Sequence, residues 1–237
     1  MGVLADVSGK GMSAALLSSM VLGALSMEFR SGTRPPEVLT RVNRLLCEKS
    51  LPSQFVTLFV FLLNPDGTGQ FISAGHNPTY LFRSSTGKIE ELVSDAHFLG
   101  MFDFASYEPG TLHLCKGDIL VAYSDGLTDA QNPREEMFGE ERLLNLIRQE
   151  APSGSHALEQ KLLRAVETFT QGMPQTDDIT FVVVEKNQED SSTCLDGKRH
   201  RAYDPLTHRS IWPRLRRLCD GGLPRVARAS NHRRRPG

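Results

Sequence analysis

Apolar positions change their period several times along the chain, and each change marks an element. Leu4-Ala5-Asp6-Val7 is a strand-like run that carries a carboxylate into the turn Ser8-Gly9-Lys10-Gly11. From Met12 to Arg30 apolar residues return at helical spacing, with Leu16, Met20, Gly23 and Met27 as the expected inner face. Gly32 ends that helix. Pro35 and Pro36 open a second helix, Glu37 to Lys49, with Val38, Val42, Leu45 and Leu46 inward. Phe55 to Leu63 is almost continuously apolar, the mark of a strand covered on both faces. The turn Asn64-Pro65-Asp66-Gly67 sends the chain back through Gly69 to Ala74, a hairpin. Tyr80 to Arg83 and Lys88 to Leu92 make a second hairpin around residues 84–87. Leu112 to Leu114 is a short strand. The turn Lys116-Gly117-Asp118 leads into the strong strand Ile119 to Tyr123. Gly139 to Gln149 and His156 to Gln171 read as helices, and Ile179 to Glu185 as the last strand. Helices arrive in pairs between groups of antiparallel strands. That order predicts α+β layers and excludes the alternating pattern of a doubly wound sheet.

Charge divides the 237 residues in two. Residues 1–187 hold 15 basic and 23 acidic residues, a net charge of −8, whereas residues 188–237 hold 12 and 5, a net of +7. The boundary predicts one domain over 1–187 and a basic, unstructured tail over 188–237. The tail's aromatic-basic cluster, Trp212 with Arg214, Arg216 and Arg217, is the one place where nucleic acid or an anionic membrane surface would be expected to bind. The apolar helix from Met12 to Phe29 is interrupted by Ser13, Ser18, Ser19 and Ser26, so no membrane span is expected. The N-terminus has no leader pattern, and Cys47, Cys115, Cys194 and Cys219 show no CxxC spacing. These features predict free thiols and a cytoplasmic protein.

The candidate chemistry lies in carboxylates at strand ends. Asp6 ends the first run, Asp125 follows Ile119 to Tyr123 within Ser124-Asp125-Gly126, and Asp177-Asp178 precede the last strand. They converge only if their strands lie side by side, and together they predict one divalent-metal site. Hard oxygen donors suit Mg²⁺ or Mn²⁺, and no His/Cys cluster offers a zinc site. Two such ions, about 3.5 to 4 Å apart, would activate water for attack on a phosphoryl group without a serine or cysteine nucleophile. If Asp177 and Asp178 lie on a strand they point to opposite faces, so at most one ligates directly. Gly9-Lys10-Gly11 lacks the spacing of a nucleotide-binding P-loop, which leaves Lys10 as a loop charge near the metal or a helix-start residue. Asn64 to Gly67 lacks the later ligands of an EF-hand. His76, in Ala74-Gly75-His76-Asn77-Pro78, has two readings: a hydrogen-bond donor behind a ligand or to phosphate, or a buried histidine holding a turn.

Taken together these motifs resemble the PPM family of metal-dependent serine/threonine protein phosphatases, in its bacterial SpoIIE/RsbU branch. The matching stretches are Asp6-Val7-Ser8-Gly9-Lys10-Gly11 with Ala14-Ala15-Leu16-Leu17, Ala74 to Pro78, Leu99-Gly100 and Lys116-Gly117-Asp118. They continue with Tyr123 to Ala130, Phe138-Gly139 and Asp177-Asp178-Ile179-Thr180, all in the family's order. The resemblance implies a β-sandwich of two antiparallel sheets flanked by helices, with two Mn²⁺ or Mg²⁺ ions at one end. It implies that Asp6 bridges both ions, that the Val7 carbonyl adds a ligand, and that Asp125 and Asp177, with Asp178 beside it, hold one ion. Asp129, where the branch usually has Glu, is expected to be structural, and the helices from Met12 to Lys49 to be a regulatory pair. The implied substrate is a phosphorylated STAS-domain anti-anti-sigma protein. The family also carries a Gly-Gly-Asp motif on strands ahead of the Asp6 motif, and often an upstream sensor domain. Met1 lies five residues before Asp6, so the expectation is a partial domain with one complete and one incomplete metal site. The alternative is a catalytically inactive binding module of the same fold. Ser8 stands where eukaryotic relatives place a histidine, so no side chain is expected to protonate the leaving group.

Overall fold

The computed structural model describes residues 1–50, 54–94, 96–175 and 177–187. The basic tail 188–237, with its Trp212 cluster, lies outside the described residues. The chain runs β1 (Gly2–Val7), α1 (Met12–Arg30), α2 (Pro35–Lys49), β2 (Val56–Leu63), β3 (Thr68–Ala74), β4 (Thr79–Phe82), β5 (Ile89–Leu92) and β6 (Gly110–His113). It ends with β7 (Ile119–Tyr123), the short α3 (Asp125–Thr128), α4 (Gly139–Glu150), α5 (Ser155–Thr170) and β8 (Phe181–Glu185). Eight strands form two four-stranded sheets, β1-β2-β3-β6 and β5-β4-β7-β8, with every pairing antiparallel.

The period of two in the strands decides the layers. In β2, Phe59 and Phe61 turn toward the second sheet, where they meet Leu81 and Leu120. Val56, Leu58 and Val60 turn outward, under α1 and α2. Likewise in β7 Leu120 and Ala122 fill the space between the sheets, while Ile119, Val121 and Tyr123 pack under α4 and α5. Each central strand is covered on both faces, which is why it reads as an unbroken apolar run.

Two expectations need correction. The inner face of α1 is Leu17, Val21, Leu25 and Phe29, while Leu16 and Met27 are 65% and 77% exposed and Met20 is half-buried. The helix carries no charged residue before Glu28, so both its faces are apolar enough to pass for the buried one, and only the packing against α2 and the first sheet chooses. By length and composition α1 could also cross a bilayer, despite its serines. Its buried stripe is part of the sandwich core. In α2 Leu39 is fully buried where Leu45 was expected, and Asn43 is buried beside it. Of the cysteines expected to be free thiols, Cys47 is free, whereas Cys115 is disulfide-bonded.

Two polar anchors fix the layers. Asn43 reaches out of α2, donating to the Phe102 carbonyl (2.8 Å) and accepting from the Gly100 N–H (2.8 Å). This explains the Leu99-Gly100 motif: Leu99 exchanges two backbone hydrogen bonds with Val56, and Gly100 turns at φ +85° to face the asparagine. Asp118, fully buried, pairs with Arg83 (2.9 Å) and accepts from the backbone N–H groups of Ser84 (2.9 Å) and Cys115 (3.0 Å). It ties the turn before β7 to the turn after β4. Replacing Asn43 with Leu would strand two buried backbone groups, and should lower unfolding free energy by about 2–4 kcal/mol in urea titrations.

Candidate metal centre

The end of the sandwich that carries the candidate ligands is assembled from both sheets. Asp6 lies near the end of β1, directly across from Thr57 in β2, so the two side chains share one face. Ser8 closes this strand end twice: its N–H donates to the Phe55 carbonyl (2.9 Å) and its Oγ accepts from the Phe55 N–H (2.8 Å). The chain then turns through Gly9 and Gly11 at φ +92° and +79°, left-handed values that favour glycine, and α1 starts at once.

Asp125 and Asp177 come from the other sheet, so the expectation of three adjacent strands is corrected: β7 and β8 are neighbours, and β1 belongs to the opposite sheet. Ser124 joins their two loops. Its N–H donates to the Thr180 carbonyl (2.9 Å), its Oγ accepts from the Thr180 N–H (3.1 Å), and the same hydroxyl lies 3.2 Å from the Asp178 carbonyl. Gly126 completes the contact. A Cβ there would sit 2.4 Å from the Asp178 carbonyl oxygen, so only glycine lets the Asp177-Asp178 loop close on α3. Asp177 and Asp178 precede β8 instead of lying on it, so strand alternation does not divide them.

These carboxylates sense one another across the two sheets. Asp6 is held above the ordinary carboxylate range first by burial and then by the charges of Asp125 and Asp177, with Asp178 adding less. Asp129 is raised too, by burial and then by Asp125, with a smaller push from Asp177. Asp129 thus feels the charges of Asp125 and Asp177. It follows Asp125 by one helical turn, and that spacing alone places the two on one face. Lys10 stands at the rim, its Nζ 3.5 Å from Asp177 Oδ2, as expected for a loop charge near the site.

The donor set fits a hard divalent cation: acceptor-only oxygens, anionic, in mutual repulsion that a cation would relieve. Yet among the described residues no three His, Cys, Asp or Glu side chains are gathered into a ready coordination shell. One Asp177 carboxylate oxygen accepts from the Asp178 N–H (2.8 Å) and the other faces Lys10.

His76 resolves toward the buried reading. Its Nδ1 lies 2.9 Å from Thr57 Oγ1, beside Asp6, and burial pushes its pKa down to about 4 against a smaller opposing pull from the Tyr123 backbone. The ring supports β2, the strand paired with the one that carries Asp6. Thr57 was not singled out by the sequence, because its role follows from strand register alone.

Residues 2–187 match the model of the SpoIIE family, described as stage II sporulation protein E. Phosphoserine phosphatase RsbU of Bacillus subtilis (strain 168) is 33% identical over 129 residues, which cover 54% of this chain and 38% of RsbU. Phosphoserine phosphatase RsbP of the same strain is 22% identical over 189 residues, covering 77% of this chain and 45% of RsbP. The chain thus spans less than half the length of these relatives. Among solved structures, the SiaA-PP2C domain of Pseudomonas aeruginosa superposes with a TM-score of 0.67 at 19% identity, covering 77% of this chain and 74% of that one. The PP2C phosphatase domain of SpoIIE from Bacillus subtilis gives 0.62 at 20% identity, covering 77% and 53%. The fold is the PP2C-type phosphatase fold.

Two titrations follow from the electrostatics. A raised carboxylate costs the folded state once it ionises, so stability falls as pH rises through the carboxylate range and the loss is complete above the folded pKa. Asp6→Asn should therefore unfold at a higher temperature than the parent at pH 7 in a chelator, and that gain should vanish at acid pH. For His76 the sign is opposite: an unfolded imidazole takes up a proton that the folded ring refuses, so stability drains away as pH falls from 6.5 toward 4, by about 3 kcal/mol. In urea titrations across that window, His76→Gln should show a slope shallower by about one proton.

Proposed function

This chain belongs to the SpoIIE family, and we propose that it is a metal-dependent phosphoprotein phosphatase that hydrolyses phosphoserine or phosphothreonine on a regulatory protein. The observation that carries the reading is the convergence of carboxylates, in which Asp6 on one sheet, raised first by burial, also feels the charges of Asp125 and Asp177 beside the ends of β7 and β8. In this reading Asp6, the Val7 carbonyl, Asp125, Asp177 and Asp178 hold Mn²⁺ or Mg²⁺, two ions when the site is full. When bound, such ions lower the pKa of a coordinated water toward neutrality and neutralise phosphoryl charge. The chain's own residues do the rest. Ser124 and Gly126 strap the Asp177 loop against Asp125, and Ser8 fixes the strand end that presents Asp6. Lys10 brings a cation to the rim, where a phosphate dianion would arrive. His76, whose pKa burial pushes down to about 4, supports Thr57 opposite Asp6. No side-chain nucleophile is required.

The similarity to phosphoserine phosphatases supports phosphoserine as the substrate class. A phosphorylated STAS-domain partner in sigma-factor control, met in the cytoplasm, is the setting this reading favours. One observation favours a second reading, a binding module without turnover: the carboxylates converge without forming a ready coordination shell. Phosphate release from a phosphoserine protein in Mn²⁺ separates the two. The phosphatase reading expects release that stops with chelator and falls at least about 100-fold in Asp125→Ala. Tight binding of the partner without release, unchanged by Asp125→Ala, would overturn it in favour of the module.

A further inference from the structure

On the outer side of the second sheet, α4 and α5 form an antiparallel hairpin. Leu143, Ile147, Leu158 and Leu162 point inward to the sheet. The helices' outer flanks border a shallow, open groove of about 600 Å³, and their charges are sorted about it. Arg142, Lys161 and Arg164 line the groove, with Leu146 and Ala165 between them. Lys161 and Arg164 are three residues apart, which puts them on one face of α5. Of the acidic residues on the two helices, Glu150 alone lines the groove, at the end where it pairs with Lys161 (3.8 Å). Glu140, Glu141, Glu159 and Glu167 lie off the groove. A domain of net charge −8 thus keeps a cationic channel over two of its helices.

Arg142 is held in place. Its guanidinium lies 4.7 Å above the Phe169 ring and donates to the carbonyls of Phe138 (2.8 Å) and Met137 (3.0 Å), while Phe138 meets Phe169 edge-on at 5.5 Å. A cation fixed this way spares much of the ordering cost of binding. At this end Phe138 donates its N–H to the carbonyl of Ala130, the neighbour of Asp129 (2.8 Å). Phe138 closes the loop that follows Asp129, and α5 ends seven residues before Asp177.

We infer that the groove between α4 and α5 docks an acidic segment of the phosphoprotein substrate, with Arg142, Lys161 and Arg164 as its cationic contacts. The identity of the partner as substrate rests on the phosphatase reading, whereas the docking chemistry does not. Charge complementarity selects the occupant. Three cations over a floor of Leu146 and Ala165 suit a short acidic stretch with an apolar side chain. Base stacking, which a single-stranded nucleic acid would need, finds the half-buried ring of the groove, Phe169, already covered by Arg142.

The test uses the full chain and fluorescein-labelled phosphorylated casein, an acidic phosphoprotein. In fluorescence anisotropy, Lys161→Glu/Arg164→Glu should bind about tenfold more weakly, equal to about 1.4 kcal/mol. Arg34→Glu/Arg41→Glu on α2, with the same change in net charge, should bind like the parent. If turnover is measurable, KM for casein should rise about tenfold at unchanged kcat, with p-nitrophenyl phosphate hydrolysis unaffected. Equal weakening in both double variants, or none in the groove variant, would overturn the proposal. Loss of retention on anionic lipid vesicles with casein binding intact would overturn it in favour of a membrane. Absence of p-nitrophenyl phosphate hydrolysis in the parent counts against the phosphatase reading alone, since anisotropy still decides the groove.

Discussion

The meeting of Asp6 on one sheet with the aspartates beside the other is the constraint around which one end of the molecule is built: burial first, and then the neighbouring charges, raise Asp6 and Asp129. Like charges in partly buried positions cost the folded state, so something must hold them together. The restraint comes from backbone and hydroxyl contacts. Ser8 clamps the end of β1, Ser124 bonds to Asp178 and Thr180 just after Asp177, and Gly126 removes the methyl that would push that loop away. The small residues of the two aspartate motifs thus have mechanical explanations of their own.

The same logic extends to residues remote from the cluster. Asn43 satisfies two backbone groups of the segment that pairs with the start of β2, and β2 in turn carries Thr57 opposite Asp6. His76 braces Thr57 from the neighbouring loop. A line of ordinary packing and hydrogen bonds therefore runs from α2 to the carboxylates. The first helical layer and the residue opposite Asp6 are thus tied to the same strand.

Much of this was legible in the residues, for reasons that differ by element. The central strands announce themselves because both faces are buried, and the glycine turns because left-handed backbone favours glycine. Asp6, Asp125 and Asp177 stand out because each sits where a strand meets a turn. The buried face of α1 was not legible, because Leu16 and Leu17 are equally apolar and only contact with the sheet separates them. Nor was the route by which the aspartates meet, since strand order across two sheets is a property of the whole chain. Thr57 depends on register, which local composition does not encode. The spacing of Asp129 from Asp125, one helical turn, places the two on one face.

Asp118 and Asp125 stand at opposite ends of β7, about 20 Å apart at the rise of an extended strand. At one pole a buried carboxylate is neutralised by Arg83 and three further donors, and at the other carboxylates face one another. The strand therefore spans a gradient of local opening free energy. Amide protons near Ile119 should be the slow exchangers and those beyond Tyr123 the fast ones, so the molecule is anchored at its closed pole and breathes at the pole where a ligand would arrive.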